Sequence, residues 1–169
     1  MRGCSFTGHR KIESRHTGKI DELIGRAIAY AYNEGCRKFY VGGAMGFDTL
    51  AARQIILFRM KHPDAELHVI VPCKTQSDNW SPSQISTYEY ILGCADSVEY
   101  LNDEYTDSCM RERNQRLVDL SDIIIAYVSR YNSGAAQTVR MAERAGKKVY
   151  NLYPSLDALC FSQKNPIRP

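Results

Sequence analysis

The stretch that decides the fold reads Asp122-Ile123-Ile124-Ile125-Ala126-Tyr127-Val128. Its apolar residues are continuous rather than alternating, so a strand here needs other elements to cover both of its faces. That pattern is typical of a central parallel strand in an α/β protein. We therefore predict that 122–128 lies inside a parallel sheet with helices on both sides.

Five more short apolar segments accompany this strand, and they alternate with segments of helical periodicity. The other predicted strands are Gly3–Thr7, Lys38–Val41, Leu67–Val71, Ser97–Leu101 and Lys148–Leu152. The predicted helices are Thr17–Asn33, a segment from Asp48 to about Lys61, a segment that starts with the capping box Ser81-Pro82-Ser83-Gln84, Asp107–Leu120, and a segment from Gly134 to Gly146. This order predicts an α/β fold: a doubly wound, mostly parallel six-stranded Rossmann-like sheet with helices on both faces.

The chain length favours one domain, because 169 residues suffice for one well-buried core. We assign residues 1–153 to the Rossmann-type domain. Residues 154–169 are expected to form a C-terminal tail that packs on this domain or extends it.

Composition narrows the function classes. Residues are 44% hydrophobic and 24% charged, and no apolar run is long enough for a membrane span. The six cysteines form no CxxC pair and have no metal-ligand spacing, so we expect reduced thiols, a cytoplasmic location, no metal and no cofactor. The net charge of +3 is small for a nucleic-acid-binding domain, so a nucleic-acid partner is not expected.

A glycine-rich turn follows the second predicted strand and reads Gly42-Gly43-Ala44-Met45-Gly46-Phe47-Asp48. Its three glycines let the backbone approach another atom closely, and Asp48 falls in the first turn of the next helix. The candidate ligand-binding residues here are Gly42, Gly43, Ala44, Gly46 and Asp48. The alternative is a tight turn in which Asp48 merely complements the helix dipole.

The loop after the first strand reads Thr7-Gly8-His9-Arg10. A hydroxyl, a glycine, an imidazole and a guanidinium together suit an anion, so Thr7, Gly8, His9 and Arg10 are candidate ligand-binding residues. The basic residues that follow are interpreted as a solvated loop; they are Lys11, Arg15, His16 and Lys19.

Arg113 lies on the inward stripe of its predicted helix, beside Leu117. A guanidinium on such a stripe is costly unless it is paired. We therefore predict that Arg113 reaches the rim of the sheet and binds the ligand. The alternative is a structural ion pair.

The loop Asn132-Ser133-Gly134 follows the most apolar strand and starts a helix, which makes Ser133 and Gly134 candidates for anion binding. An ordinary capping loop is the alternative. Trp80 could stack on a base, and a packed loop aromatic explains it equally well. Cys109 is expected to be a buried thiol.

Taken together, these loops resemble the SLOG superfamily, the Rossmann-like group that includes DprA, the LOG phosphoribohydrolases and the YpsA-like proteins. Thr7-Gly8-His9-Arg10 with the glycine turn looks most like the YpsA-like branch, which has a "TGHR" start and a "GGxxGxD/E" turn. Met110-Arg111-Glu112-Arg113-Asn114 followed by Ser121-Asp122 is similar to the LOG pattern "MHERK…SD". The match covers roughly residues 1–153.

The resemblance implies a nucleotide or nucleotide-derived phosphate ligand in these loops, and a homodimer. In LOG enzymes a glutamate of "PGGxGTxxE" acts with the arginine of "MHER" to cleave an N-glycosidic bond. Here Thr138 stands in place of that glutamate, whereas Arg113 matches the arginine.

Three functional hypotheses follow from these residues. The first is the binding, or sensing, of a nucleotide-like phosphorylated small molecule. The second is a nucleotide N-glycosidase of LOG type, a hydrolase with Asp48 and Arg113 as catalytic candidates. The third, supported least, is DprA-like binding of single-stranded DNA.

Overall fold

The strand Ile123–Tyr127 is buried along its whole length in the computed structural model, which describes residues 2–164 and their side chains as far as residue 160. It pairs in parallel with the first strand on one side and with the last strand on the other. The prediction of a central parallel strand is therefore confirmed. Its covered faces explain why its apolar residues do not alternate with polar ones.

Six strands and six helices alternate along the described chain. The strands are β1 (Arg2–Gly8), β2 (Cys36–Val41), β3 (Glu66–Val71), β4 (Ser97–Tyr100), β5 (Ile123–Tyr127) and β6 (Lys148–Asn151). The helices are α1 (Ile20–Asn33), α2 (Phe47–Arg59), α3 (Pro82–Cys94), α4 (Cys109–Asp119), α5 (Gly134–Arg144) and α6 (Leu152–Lys164), and a short 3-10 turn spans Ser14–His16. The predicted elements are all present, with ends shifted by a few residues.

The sheet order is β4-β3-β2-β1-β5-β6, and every pairing is parallel. The mostly parallel sheet of the prediction is thus wholly parallel. The chain builds outward from β1 to β4 and then crosses back to place β5 on the other side of β1. The carboxyl ends of β1 and β5 therefore flank a topological switch point, where open α/β sheets form their ligand crevice.

Helices cover both faces of the sheet, as predicted. Phe6 and Phe39 face the larger core, which α1, α2, α3 and α6 close. Tyr40 lies on the opposite face, where Leu117 of α4 packs against it. Side chains alternate across each strand, so neighbouring residues of β2 serve different cores.

The helix that follows the long loop after β3 begins where the sequence predicts. The Ser81 hydroxyl accepts a hydrogen bond from the Gln84 N–H, the Gln84 side chain accepts one from the Ser81 N–H, and Pro82 occupies the first helical position. This reciprocal cap satisfies N–H groups that the helix itself leaves unpaired. It fixes α3, which forms one side of a cavity described below.

Two departures from the sequence predictions have local causes. The first helix begins at Ile20 rather than Thr17, because the 3-10 turn Ser14–His16 precedes it. Leu152, predicted as the end of the last strand, begins α6. The expected tail is therefore mostly a helix that contacts α1 and β5, and its residues 165–169 lie outside the described part.

His16 corrects the interpretation of the basic loop as solvated throughout. Its side chain is fully buried, with Nδ1 2.7 Å from the Tyr127 hydroxyl and Nε2 2.6 Å from Asp157 Oδ1. The sequence alone could not reveal this, because Asp157 lies 141 positions away on α6.

None of the helices within residues 2–164 combines the length and the apolar character needed to cross a bilayer. In the same part of the chain, no three histidine, cysteine, aspartate or glutamate side chains are grouped so as to hold a metal ion.

Candidate functional site

A cavity of about 510 Å³ opens at the switch point, and we call it the switch-point cavity. It lies between the carboxyl end of β1, the helix α4 and the start of α5. It is lined by Phe6, Thr7, Gly8, His9, Arg10, Lys11, Ala44, Asp48, Met110, Arg113, Asn114, Leu117, Arg130, Asn132, Ser133, Gly134 and Ala135. Its volume falls within the usual range for small-molecule sites.

The glycine turn is held tightly against the loop that follows β1. The Phe47 N–H donates to the His9 carbonyl at 3.1 Å, and a side chain at Gly46 would collide with the backbone of Arg10. Gly46 also has a φ of 78°, which disfavours any residue with a Cβ. These contacts hold two of the predicted ligand loops, residues 7–10 and 42–48, against each other, and we call the pair the ridge.

Arg113 lies beneath this ridge and is only 7% exposed. Its Nη1 donates to the Gly42 carbonyl at 2.7 Å, and its Nε donates to Asn114 Oδ1 at 2.9 Å. A Cβ at Gly42 would collide with the Arg113 guanidinium and come within 2.9 Å of Asp48 Oδ2. The glycine is therefore needed so that both charged groups can approach the turn.

Asp48 is the acidic member of the cavity wall. Its Oδ2 accepts the Ala44 N–H at 3.2 Å, and its side chain is almost fully buried. Burial raises the pKa of Asp48 to about 6, although Arg113 and the backbone N–H groups of the turn oppose that rise. Burial likewise lowers the pKa of Arg113, and Asp48 counteracts this.

Positive charge dominates the rim of the switch-point cavity. Among the residues that the structure describes, the side chains of Arg10, Lys11 and Arg130 have neither a hydrogen-bond nor an ion-pair partner. Several arginines elsewhere form ion pairs, as in Arg37–Asp64 at 2.8 Å and Arg59–Asp96 at 2.6 Å, whereas Arg53, Arg111 and Arg144 are exposed and have no such partner among the described residues. The cavity thus gathers three free cations beside the buried Arg113.

The start of α5 adds backbone donors to the same cavity. The Ser133 hydroxyl accepts the Ala136 N–H at 3.0 Å and donates to the Arg130 carbonyl, which fixes the first turn of α5. Asn114 Nδ2 donates to the Gly134 carbonyl at 3.4 Å and so connects this turn to Arg113. N–H groups at such a helix start favour an anion.

His9 orders the loops around the cavity. Its backbone N–H donates to the Tyr127 carbonyl, and its Nε2 accepts the Ser129 N–H at 2.8 Å. Burial lowers the pKa of His9, and Arg130 lowers it further, which favours the neutral ring. A neutral ring with Nε2 as acceptor can still present its Nδ1–H as a donor.

The structure brings most of the predicted ligand-binding residues into contact with this cavity. Those that line it are Thr7, Gly8, His9, Arg10, Ala44, Asp48, Arg113, Ser133 and Gly134. Gly42 does not line this cavity, but its carbonyl accepts the hydrogen bond from Arg113. Gly43 and Gly46 line a second cavity. Whether these residues bind a ligand stays a prediction.

Sequence reasoning missed four polar residues of the switch-point cavity. Lys11 was assigned to the solvated loop, and Asn114, Arg130 and Asn132 were not selected as ligand-binding residues. Arg130 could have been found, since it follows β5 directly at the carboxyl edge. Asn114 could also have been found, because it lies on the buried stripe beside Arg113.

The second cavity, which we call the aromatic cavity, measures about 430 Å³ and lies between the glycine turn, α2 and α3. Trp80 and Tyr88 line it, with their ring centroids 5.2 Å apart in an edge-to-face arrangement. Arg10, Ala44 and Asp48 line both cavities and form the wall between them.

The sequence model of the YspA SLOG family matches residues 5–155. The chain belongs to the YspA SLOG family. An uncharacterised SPbeta prophage-derived protein, YoqJ, from Bacillus subtilis (strain 168) is 27% identical over 161 residues, covering 87% of this chain and 90% of YoqJ. A UPF0398 protein from Bacillus cereus (strain G9842) is 25% identical, covering 88% of this chain and 84% of its own.

Solved structures of similar fold include two DNA processing proteins. That of Helicobacter pylori, described with its single-stranded DNA binding mode, superposes with a TM-score of 0.63 over 88% of this SLOG chain and 63% of its own. DprA from Streptococcus pneumoniae superposes with a TM-score of 0.62, covering 98% of this chain and 57% of DprA. TM1055 superposes with a TM-score of 0.55, covering 88% of this chain and 72% of TM1055. All three are 16% identical to this chain, and the chain spans less than two thirds of both DNA processing proteins.

These neighbours remove the support for one sequence expectation. The small net charge argued against a nucleic-acid partner, yet a fold of this kind serves a single-stranded DNA-binding protein. Net charge over the whole chain does not describe local charge, because Arg10, Lys11 and Arg130 lie together at one cavity.

Proposed function

We propose that this SLOG protein binds a nucleotide or a nucleotide-derived phosphate in the switch-point cavity. One observation supports the proposal above all others: Arg113 is buried at the cavity wall, and only its Nε and Nη1 donate to protein atoms within the described residues. The remaining N–H groups of its guanidinium are available to a ligand, and a phosphate offers the bidentate acceptor that they fit.

The surroundings of Arg113 favour a ligand with several negative charges. Arg10, Lys11 and Arg130 add three positive charges, against the single carboxylate of Asp48. The start of α5 adds backbone donors. A phosphorylated ligand would compensate all these groups at once, whereas a neutral one would leave them unpaired.

Calorimetric titration tests this function directly, with adenosine monophosphate and inorganic pyrophosphate as probes. Both should bind the wild-type protein, and Arg113→Ala should weaken both. Arg111→Ala is the matched control, because Arg111 is exposed on the same helix and does not line the switch-point cavity. Equal losses in the two variants, or no binding of either probe, would refute the proposal.

A second candidate is a nucleotide N-glycosidase, and the buried Asp48 favours it. Protonated Asp48, with a pKa of about 6, can give its proton to the departing base as the N-glycosidic bond breaks. Water then bonds to the anomeric carbon, and the Asp48 carboxylate takes the proton that this water loses. Thr138, which stands where LOG enzymes have a glutamate, has no carboxylate. Its side chain is fully buried, and its hydroxyl donates to the Gly134 carbonyl. We therefore expect no appreciable release of adenine from adenosine monophosphate, as judged by chromatography. Robust release that disappears in Asp48→Asn would instead establish the glycosidase.

Binding of single-stranded DNA is a third candidate, which the DNA processing proteins of similar fold suggest. The free cations around the switch-point cavity could contact successive phosphates. Such binding would weaken steeply as salt rises, because each neutralised phosphate releases counterions. Titration of a labelled oligodeoxynucleotide at two salt concentrations separates it from the binding of a single nucleotide.

A further inference from the structure

The aromatic cavity has a composition that the anion-binding role of its neighbour does not explain. Trp80 is partly exposed at its mouth, and Tyr88, only 8% exposed, forms its inner side. Gly43 brings the backbone of the glycine turn against this aromatic pair, since a Cβ there would lie 3.4 Å from the Tyr88 ring. A partly exposed indole that lines a cavity beside a buried ring offers aromatic surface on which a planar heterocycle can stack.

Polar groups surround these rings without filling the cavity. Thr49 lies on α2, and Ser83 and Thr87 lie on α3, where all three line the cavity. The Thr49 hydroxyl donates to the Ala44 carbonyl and the Thr87 hydroxyl donates to the Ser83 carbonyl, so both oxygens remain as acceptors for the amino group at the edge of a base. Burial raises the pKa of Tyr88 to about 12, so this ring adds no charge. The cavity is thus amphipathic rather than simply apolar.

The two cavities lie on either side of a shared wall formed by Arg10, Ala44 and Asp48. Arg10 lines both, and no other side chain within the described residues pairs with its guanidinium. A ligand that crosses this wall would have its anionic part beside Arg113 and its planar part beside Trp80. A nucleoside phosphate has these two parts joined by a sugar.

We infer that the aromatic cavity is the base-binding compartment, in which Trp80 stacks on the base of a nucleotide whose phosphate lies in the switch-point cavity. This inference rests on the proposed function, since it concerns the other end of the same ligand. Stacking tolerates any base because every base has a π face, so Trp80 supplies affinity more than selectivity.

Trp80 is the only tryptophan of the chain, so its fluorescence reports on this cavity alone. Adenosine monophosphate should change the Trp80 emission. Ribose 5-phosphate and pyrophosphate, which have no base, should bind without that change. In calorimetry, Trp80→Ala should weaken the binding of adenosine monophosphate by about tenfold or more and leave the binding of pyrophosphate unchanged. Trp80→Phe should recover much of the loss, because it keeps a ring.

Two further variants guard against a general effect on folding. Thr87→Phe fills the aromatic cavity while leaving Trp80 in place. It should also weaken the binding of adenosine monophosphate but not the binding of pyrophosphate. Tyr105→Ala removes an exposed aromatic residue outside both cavities and should change neither affinity.

The outcomes separate the two proposals. If adenosine monophosphate binds without affecting Trp80 emission, and Trp80→Ala binds it as tightly as the wild type, the base compartment is refuted and the phosphate site stands. If neither adenosine monophosphate nor pyrophosphate binds, the proposed function fails and this inference fails with it.

Discussion

Arg113 has two tasks at once, since it supports the glycine turn through Gly42 and faces the switch-point cavity. Charge-assisted hydrogen bonds to a phosphate contribute about 1.5–3 kcal/mol, and about 1.4 kcal/mol corresponds to a decade in affinity. We expect Arg113→Ala to weaken pyrophosphate binding by roughly tenfold to a hundredfold in calorimetry. Arg113→Lys should recover only part of it, because an ammonium group cannot make the bidentate contact.

The contrary result for Arg113 is equally specific. Thermal unfolding of the ligand-free Arg113→Ala protein measures the structural task separately. A large loss of stability together with unchanged affinity would show that Arg113 only holds the turn. The ligand would then have to bind through Arg10, Lys11 and Arg130.

Asp48 should make the stability of the ligand-free protein depend on pH. Its pKa rises from an ordinary 3.8 to about 6 on folding, so between these values the native state binds more protons than the unfolded state. The contribution of Asp48 to stability is then greatest below about pH 4, falls as the pH rises to about 6, and is lower by roughly 3 kcal/mol above that.

Denaturant unfolding at a series of pH values checks this behaviour. Asp48→Asn should remove the decline between about pH 4 and 6, because the amide does not titrate. Arg113→Ala should extend the decline to higher pH, since Arg113 opposes the rise in the Asp48 pKa. A difference in stability between the wild type and Asp48→Asn that stays constant across this range would contradict the raised pKa of Asp48.

Gly42 offers a steric test of the same site. Gly42→Ala should displace the Arg113 guanidinium, because the added methyl group collides with it, and both stability and pyrophosphate affinity should fall. Gly93→Ala on α3 is the control, since nothing lies within 4 Å of its added methyl group. Unfolding and calorimetry of the two variants should differ clearly, and similar behaviour would argue against the close approach at Gly42.

At the scale of the elements, a partly buried polar contact through His16 joins the helix α6 to the central strand β5. Asp157 accepts from Arg15 Nε at 2.9 Å and lies 2.6 Å from His16 Nε2, while His16 Nδ1 lies 2.7 Å from the Tyr127 hydroxyl. Asp157→Ala should leave Nε2 of the buried His16 without its carboxylate partner, and a buried polar group without a partner is costly.

Hydrogen exchange of the backbone amides of α6 measures how strongly this contact stabilises the helix. We expect faster exchange in α6 and a lower unfolding temperature for Asp157→Ala. Asp119→Ala is the control, because Asp119 is exposed on α4 and accepts only from Gln115 among the described residues. Unchanged exchange in α6 would mean that apolar contacts alone hold the helix.

The same elements show how far sequence reasoning reaches. The strand Ile123–Tyr127 and the capping box at Ser81 were predictable, because their patterns are local. Arg113 was also placed at the rim of the sheet from its position on a buried stripe. The burial of His16 was not predictable, since its partners Tyr127 and Asp157 are distant in sequence. The aromatic cavity was missed for a similar reason: only the fold brings Trp80 near Gly43.

At the scale of the whole molecule, ligand binding should be visible as stabilisation. A ligand that binds only the native state stabilises it by about 2.7 kcal/mol at a hundredfold excess over its Kd. Adenosine monophosphate should therefore raise the unfolding temperature of the wild type. At the same concentration it should raise the unfolding temperature of Arg113→Ala clearly less. A nucleotide-induced shift of equal size in both proteins would place the binding site away from the switch-point cavity.

The strand order has a consequence for how the protein is made. β1 lies in the middle of the sheet, yet the Gly3 N–H donates to Asp122, which follows 119 positions later. At roughly 5–20 residues per second, a ribosome needs on the order of ten seconds to add the missing neighbour. Until then one edge of β1 is open and ready to pair with another nascent chain. Slow translation between β2 and β5 should therefore favour aggregation, and chaperones that cover a bare strand edge should improve the yield.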